Sequence, residues 1–324
     1  MVVRRFAVAA AGTLALALAP APAVAQDFPT KPIHMVVPFA AGGAVDAVAR
    51  IVGQALSERV QQPVIVENKP GASSNIGMEA VAKAAPDGYT LLMASNGIAT
   101  NNALFPTLAF DGRRDFVPVA RIGYAPLVFV VPANSPDRTL AALIADAKAH
   151  PGKLTYGTAG NGTSGHLTGE LFKSAAGIDA LHVPYKGGAP AITDLLGERI
   201  TFMPINPIEV LANVKAGKLR ALAVASDKRL PYLPDVPTTT EAGLPGFDAS
   251  VWWGVVAPAK TPPAVVMRLH AEIDKALRDP AVAKRLEDAG VVITPQTPEQ
   301  FAQFIAAQTD LWTRVVKSAG IKPD

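Results

Sequence analysis

Residues 36–50 read VVPFAAGGAVDAVAR. An apolar run ends at a proline and an aromatic, two glycines follow, and then Val45, Val48, Ile51, Val52 and Leu56 recur at helical spacing. A strand that runs through a Gly-Gly turn into a helix can hold an anion. The first N–H groups of a helix have no partner within it and carry partial positive charge. Yet the stretch contains no lysine or arginine before Arg50. The question is which anion a loop without a positive side chain could cradle.

Working outward, strand-like runs at 34–37, 64–67 and 89–93 enclose helical patterns at 44–60 and 75–84, the third strand being introduced by the turn Pro86-Asp87-Gly88. This β-α-β-α-β order with short connections predicts an α/β fold: a parallel sheet with helices on both faces. A long apolar run at 117–131, interrupted at Gly123 and Pro126, leads into a second alternating stretch. Helices are expected at 140–149, 164–176 and 189–196, and strands at 154–157, 180–183 and 220–225. Prolines are dense from 230 to 262, and 250–257 (SVWWGVVA) reads as a buried strand. Helices at 263–277 and 298–318, with a strand at 291–293, close the chain. Two α/β halves joined by extended crossings near 117–131 and 250–257 predict two lobes with a cleft between them. The expected division is 26–125 for the first segment of lobe 1 and 126–250 for lobe 2. Residues 251–324 form a crossing strand and helices returning mainly to lobe 1. A single larger α/β domain is the alternative.

The chain has 324 residues, 49% apolar and 18% charged, which excludes a disordered chain and allows a substantial core. Its start differs from the rest: Arg4 and Arg5, an apolar run over 6–19, then PAPAVA with small residues at Ala23 and Ala25. The apolar run is short of the roughly 20 residues of a membrane span. It reads as a secretory signal peptide cleaved after Ala25. The two arginines account for most of the +3 net charge, so the remainder is nearly neutral. No basic, aromatic-interleaved stripe points to nucleic acid. With no cysteine, disulfides and thiolate chemistry are excluded. The expected compartment is a Gram-negative periplasm.

The opening motif has echoes. HVPYKGGAPAITDLL (182–196) repeats strand, Val-Pro-aromatic, Gly-Gly-Ala and helix. TYGTAGNGTSGHLTGEL (155–171) runs from a strand through a glycine-rich turn with hydroxyls into a helix, and MASNGIATN (93–101) ends a strand with Ser95, Asn96 and Gly97. In open α/β sheets, ligands sit beyond the carboxyl ends of strands, where such loops lie. Glycines admit close backbone approach, and Ser95, Asn96, Thr163 and Ser164 add neutral donors. A hydrogen bond to a charged group is worth about 1.5–3 kcal/mol. Micromolar binding needs roughly −8 kcal/mol, so four or five such donors suffice before entropy costs. Asp46, near a helix start, serves the helix itself or receives a ligand amino group or hydroxyl; Phe39 lines a pocket or packs in the core.

Other chemistries fail on spacing. Gly160, Gly162 and Gly165 match G-x-G-x-x-G, but not in the first βα unit where a dinucleotide site belongs. Lys186-Gly187-Gly188 has the wrong order for a phosphate-binding Walker loop. Gly162-Thr163-Ser164-Gly165-His166 lacks the last glycine of a nucleophile elbow. His166 and Glu170 share a helix face, but two residues do not make a metal site. No catalytic residue, metal or cofactor is expected.

Several motifs together resemble a known family, in order from about residue 28 to the end. They are KPIHMVVPFAAGGAVDAVAR (31–50), VENKPGASSNIG (66–77), AKAAPDGYTLL (82–92), TAGNGTSGHL (158–167), VPYKGG (183–188), PDVPTTTEAG (234–243) and WWGVVAPAKTPP (252–263). They are similar to the periplasmic receptors of tripartite tricarboxylate transporters, the Bug receptors. The resemblance implies a two-lobed, type II periplasmic-binding-protein-like fold closing on a small carboxylate held by main-chain amides and hydroxyls. It implies a monomer that delivers its ligand to membrane components of such a transporter. Carried over, the ligand-binding positions are Phe39, Ala40, Ala41, Gly42, Gly43 and Asp46, then Ser95 and Asn96. In the second lobe they are Ala159, Gly160, Gly162, Thr163 and Ser164, with Pro204 and Asn206. Two departures stand out. Ser73-Ser74 replace two glycines, and Thr201 stands where the family often has an acid, with Pro204 where an aromatic is common. The loss of that acid would suit a more anionic or less polar, even aromatic, ligand. A periplasmic sensor adaptor or a hydrolase using the same cleft are the competing readings.

Overall fold

The protein is described by a computed structural model, which covers residues 28–105 and 107–318. The signal peptide read at 1–25, with its cleavage site, lies outside the described residues. Strand β1 (Ile33–Val37) runs parallel to both β2 (Val64–Asn68) and β3 (Thr90–Ala94), with helices α1 (Ala44–Val60) and α2 (Asn75–Ala82) as the crossovers. The long apolar run divides at Leu127. Strand β4 (Phe116–Pro126) belongs to this first sheet and β5 (Val128–Pro132) to a second. The late strand β10 (Ser250–Pro258) returns between β3 and β4, antiparallel to both, and β11 (Val292–Gln296) pairs on the edge. The first sheet is therefore ordered β11-β4-β10-β3-β1-β2.

In the second lobe β5 lies between β8 (Met203–Ile205) and β9 (Leu219–Val224), antiparallel to each. Strands β6 (Thr155–Thr158) and β7 (Leu181–Pro184) pair in parallel, and a bridge from Tyr156 to Phe202 extends the sheet to them. Helices α4 (Leu140–Ala149), α5 (Ser164–Ala176), α6 (Gly188–Leu196) and α7 (Pro207–Lys215) belong to this lobe. Helices α3 (Gly97–Leu104), α8 (Pro263–Leu277), α9 (Pro280–Asp288) and α10 (Pro298–Ser318) pack with the first. Two crossings and two sheets make the two-lobed arrangement expected from the sequence.

The core explains why the α1 pattern is so legible. Val45, Val48, Val52 and Leu56 are buried together with Met35, Val37 and Leu91, a single apolar stripe on one helix face. Strand alternation sends Trp252 and Trp253 to opposite faces of β10. Trp252 meets Phe301 and Phe304 of α10 edge-on, at 5.7 and 5.4 Å between ring centres. Trp253 enters the main core with Leu269 and Ile273 of α8.

Four elements present here are absent from the sequence reading: α3, β8, α7 and α9. Helix α3 (GIATNNAL) is buried at Gly97, Ile98, Ala99, Thr100, Asn101 and Leu104, so no polar face produces a periodic contrast.

Candidate ligand-binding site

Between the lobes lies a cleft of about 610 Å³, part of it open to solvent. Its first-lobe wall comes from the turn before α1 (Phe39, Gly43, Ala44, Val45) and from Ser95 and Gly97 at the start of α3. The facing wall is the turn from β6 into α5 (Thr158, Ala159, Thr163, Ser164, Gly165), with Gly188 opening α6 and residues 203–206 of β8 and its end. Leu127 and Val251, from the two crossings, close the back, and Glu209 enters from the first turn of α7. The N-termini of α1, α3, α5, α6 and α7 therefore converge on one space, each bringing first-turn N–H groups without a partner in the helix ladder, and partial positive charge. Among the described residues that line it there is no lysine, arginine or histidine; the one ionisable side chain is Glu209.

Each proposed contact has a definite place. Phe39, Gly43, Ser95, Ala159, Thr163, Ser164, Pro204 and Asn206 line the cleft. Gly160 lines an adjoining hollow of about 510 Å³ that shares Phe39 and Ala159 with the cleft and has Gly71 and Tyr185 on its walls. Ala40, Ala41 and Gly42 form the turn behind Gly43. Asn96 turns away: its Oδ1 accepts the backbone N–H of Trp252 and its Nδ2 donates to the Ser250 carbonyl, both at 3.2 Å, fastening α3 to the crossing strand. Gly162 supports an interlobe bond, its carbonyl accepting from Thr100 Oγ1 at 3.0 Å. The Thr163 hydroxyl is the N-cap of α5, accepting from His166 N–H at 3.4 Å while donating to Gly160 O at 2.7 Å. The Ala40 turn in turn meets Gly187 of the other lobe, where an added Cβ would lie 3.1 Å from the Ala40 Cβ. The lobes thus touch on both flanks of the cleft.

Asp46 also turns away from the cleft. It is buried, and its carboxylate accepts from the Gly42 N–H (2.9 Å), Arg50 Nε and Nη2 (3.0 and 2.9 Å) and Asn68 Nδ2 (2.9 Å). Burial alone would raise this carboxyl, but the bonds from Arg50, Gly42 and Asn68 outweigh it and hold it below the usual range. Gly42 sits at φ +85°, a conformation that favours glycine, so Asp46 fixes the turn that presents Gly43 to the cleft. Asp46→Ala should cost about 2 kcal/mol, since it removes a buried carboxylate that accepts from the Gly42 N–H, Arg50 and the Asn68 amide. Urea unfolding would measure that loss, and ligand affinity should fall with it. A variant as stable as wild type would overturn this role.

Thr201 lies outside the cleft. Its Oγ1 accepts the Thr155 N–H, and its N–H donates back to Thr155 Oγ1, both at 3.1 Å, at the far end of β6. Its difference from the family pattern therefore does not reshape the pocket wall. The acid of the cleft is Glu209, which the sequence reading missed. His166 and Glu170 are engaged elsewhere, His166 Nδ1 accepting the Gly162 N–H and Glu170 the Tyr156 hydroxyl. No cluster of three potential metal ligands occurs among the described residues.

Burial pushes the Glu209 carboxyl up to about 7, only partly offset by the Ala44 N–H. Its Oε2 is buried without a hydrogen-bond partner. An added Cβ at Gly43 would lie 3.6 Å from that oxygen, and one at Gly188 would overlap the carboxylate, 2.6 Å from Cδ. Here the group at the opening loop is the protein's own carboxyl, reaching across from the other lobe. Nearby, Asn206 Oδ1 accepts the Ile208 N–H at 3.1 Å as N-cap of α7, while its Nδ2 is buried and unpartnered.

The family model for the tripartite tricarboxylate transporter receptor matches residues 48–321. The protein BugT of Bordetella pertussis is 39% identical over 304 residues, 93% of each chain. The chain belongs to the tripartite tricarboxylate transporter receptor family. Members of this family are solute-binding receptors, not enzymes. Among solved family structures, Rpa4515 of R. palustris with adipate superposes with a TM-score of 0.89 at 36% identity, covering 92% of this chain and all of that one. MatC of Rhodopseudomonas palustris with bound malate gives 0.85 at 33% identity, covering 89% and 100%. The fold is that of the α/β periplasmic binding proteins, type II.

Proposed function

We propose that this receptor binds a small organic carboxylate in the interlobe cleft and delivers it to the membrane components of a tripartite tricarboxylate transporter. The observation that carries this reading is the convergence of five helix N-termini and several hydroxyls on a space with no positive side chain among the described residues that line it. Such a site suits an anion that accepts several directed hydrogen bonds. Adipate and malate, bound by two relatives of the same fold, are anions of this kind. The protein works as an exported monomer in the periplasm. Ligand binding favours the closed lobes, because contacts from both walls exist only there.

A thermal-shift screen of residues 26–324 against mono-, di- and tricarboxylates, with their amides as controls, tests the reading. A ligand at about 100 times its Kd should stabilise by roughly 2.7 kcal/mol. Acids are expected to raise the melting temperature and their amides to leave it unchanged. A screen in which amides stabilise as well as acids would refute a carboxylate site.

A further inference from the structure

Glu209 sits at the third position of α7, where an acid ordinarily favours its own helix start. Its carboxylate lies instead against Gly43 and Ala44 of one lobe and Gly188 of α6, inside the cleft. The nearest acid and base on α1, Asp46 and Arg50, are paired with each other behind the turn. No cation among the lining residues faces Glu209. Three residues earlier, Asn206 is 97% buried, with its Oδ1 used by the helix cap and its Nδ2 unpartnered. The same helical turn therefore presents one unpartnered acceptor and one unpartnered donor. Buried polar atoms left in this way are costly unless a ligand completes them.

We propose that Glu209 and Asn206 form a specificity pair that selects carboxylates carrying a donor, an ammonium or a hydroxyl, on the carbon next to the carboxylate. The ligand carboxylate accepts from Asn206 Nδ2 and the helix N-termini. The neighbouring donor meets Glu209 Oε2, to which no described residue donates. An ammonium completes the pair best, since it also supplies the countercharge that the cleft lacks. This rests on the carboxylate-receptor reading and narrows it. It also reverses the expectation from Thr201: the cleft has an acid, so a ligand without a donor leaves that acid unsatisfied.

The test uses matched triplets that differ at that one carbon. They are propionate, lactate and alanine; succinate, malate and aspartate; and glutarate, 2-hydroxyglutarate and glutamate. Each is titrated calorimetrically into the wild-type receptor and into Glu209→Gln and Asn206→Ala. In a responding triplet the amino or hydroxy acid should bind the wild type about ten-fold or more tightly than the plain acid, the worth of one charge-assisted hydrogen bond. In Glu209→Gln the amino-acid advantage should fall to about three-fold or less, while the plain acid binds at least as well as before. In Asn206→Ala all members of the triplet should weaken together. A plain acid bound as tightly as its substituted partners, or a preference that survives Glu209→Gln, overturns the specificity pair and leaves the carboxylate receptor standing. Silence in every triplet overturns the inference. If the broader acid screen is silent too, the carboxylate reading falls with it.

Discussion

Glu209→Gln should flatten the pH dependence of stability. The gap between mutant and wild type should open by about 3 kcal/mol between pH 4 and pH 8 in the mutant's favour. The sign follows from proton occupancy. Folded, the Glu209 carboxyl releases its proton only near pH 7, whereas unfolded it does so near 4.5. Between those values the folded state holds a proton that the unfolded state has lost, so stability falls as pH rises through this window. Above about pH 7 the loss is complete. Glutamine has no proton to lose, keeps nearly the same shape, and stays constant across the range. Urea unfolding of ligand-free protein at four or five pH values would measure both curves. Parallel curves would show that Glu209 titrates as an ordinary surface acid and would remove it from the cleft's electrostatics.

Truncating Trp253 to alanine should cost about 3–5 kcal/mol, the range for large aromatics removed from close-packed cores. The indole is fully buried in β10, which is hydrogen-bonded on both sides, to β3 and β4, so neither sheet nor helix can readily collapse into the void. Trp253→Phe should be much milder. It keeps most of the ring and deletes an indole N–H that is buried without a partner. Chemical denaturation of the pair separates packing from polarity: equal losses would mean that the N–H, not the ring, holds this position. Because β10 also carries Val251 to the back of the cleft and anchors Asn96, the alanine variant should lose ligand affinity as well.

The elements that announce themselves in the sequence are those with one buried stripe and clear punctuation. Helices α1, α5, α8 and α10 each combine an apolar face with glycine, threonine or proline at the start, and their limits follow from that pattern. The cleft loops were legible for a related reason, since a glycine-hydroxyl turn after a strand has few other uses when it recurs. Two kinds of residue stayed hidden. Helix α3 is short and buried nearly all round, so hydrophobic contrast along it is absent. Glu209 was masked by its local grammar: Asn206-Pro207-Ile208-Glu209 reads as an N-cap, a first-turn proline and a third-position acid. Only the tertiary approach of α1 and α6 turns that acid into a cleft residue. Asp46 shows the converse: its position beside the glycines suggested the ligand, while its hydrogen bonds are spent on Gly42, Arg50 and Asn68.

A cleft whose attraction comes from helix ends and hydroxyls, with no lysine or arginine among the described residues of its walls, has a consequence for how the receptor meets its surroundings. Exposed side-chain charges reach outward and are damped by salt over a Debye length of about 8 Å at physiological strength. Partial charges at helix termini act only within about the last turn, on the walls of the cleft between the lobes. Capture of a carboxylate in this cleft, as proposed, should therefore gain little from long-range steering and lose little when the medium becomes briny. On that basis the receptor is expected to give up speed of encounter at low salt and to keep a nearly constant affinity as external ionic strength changes.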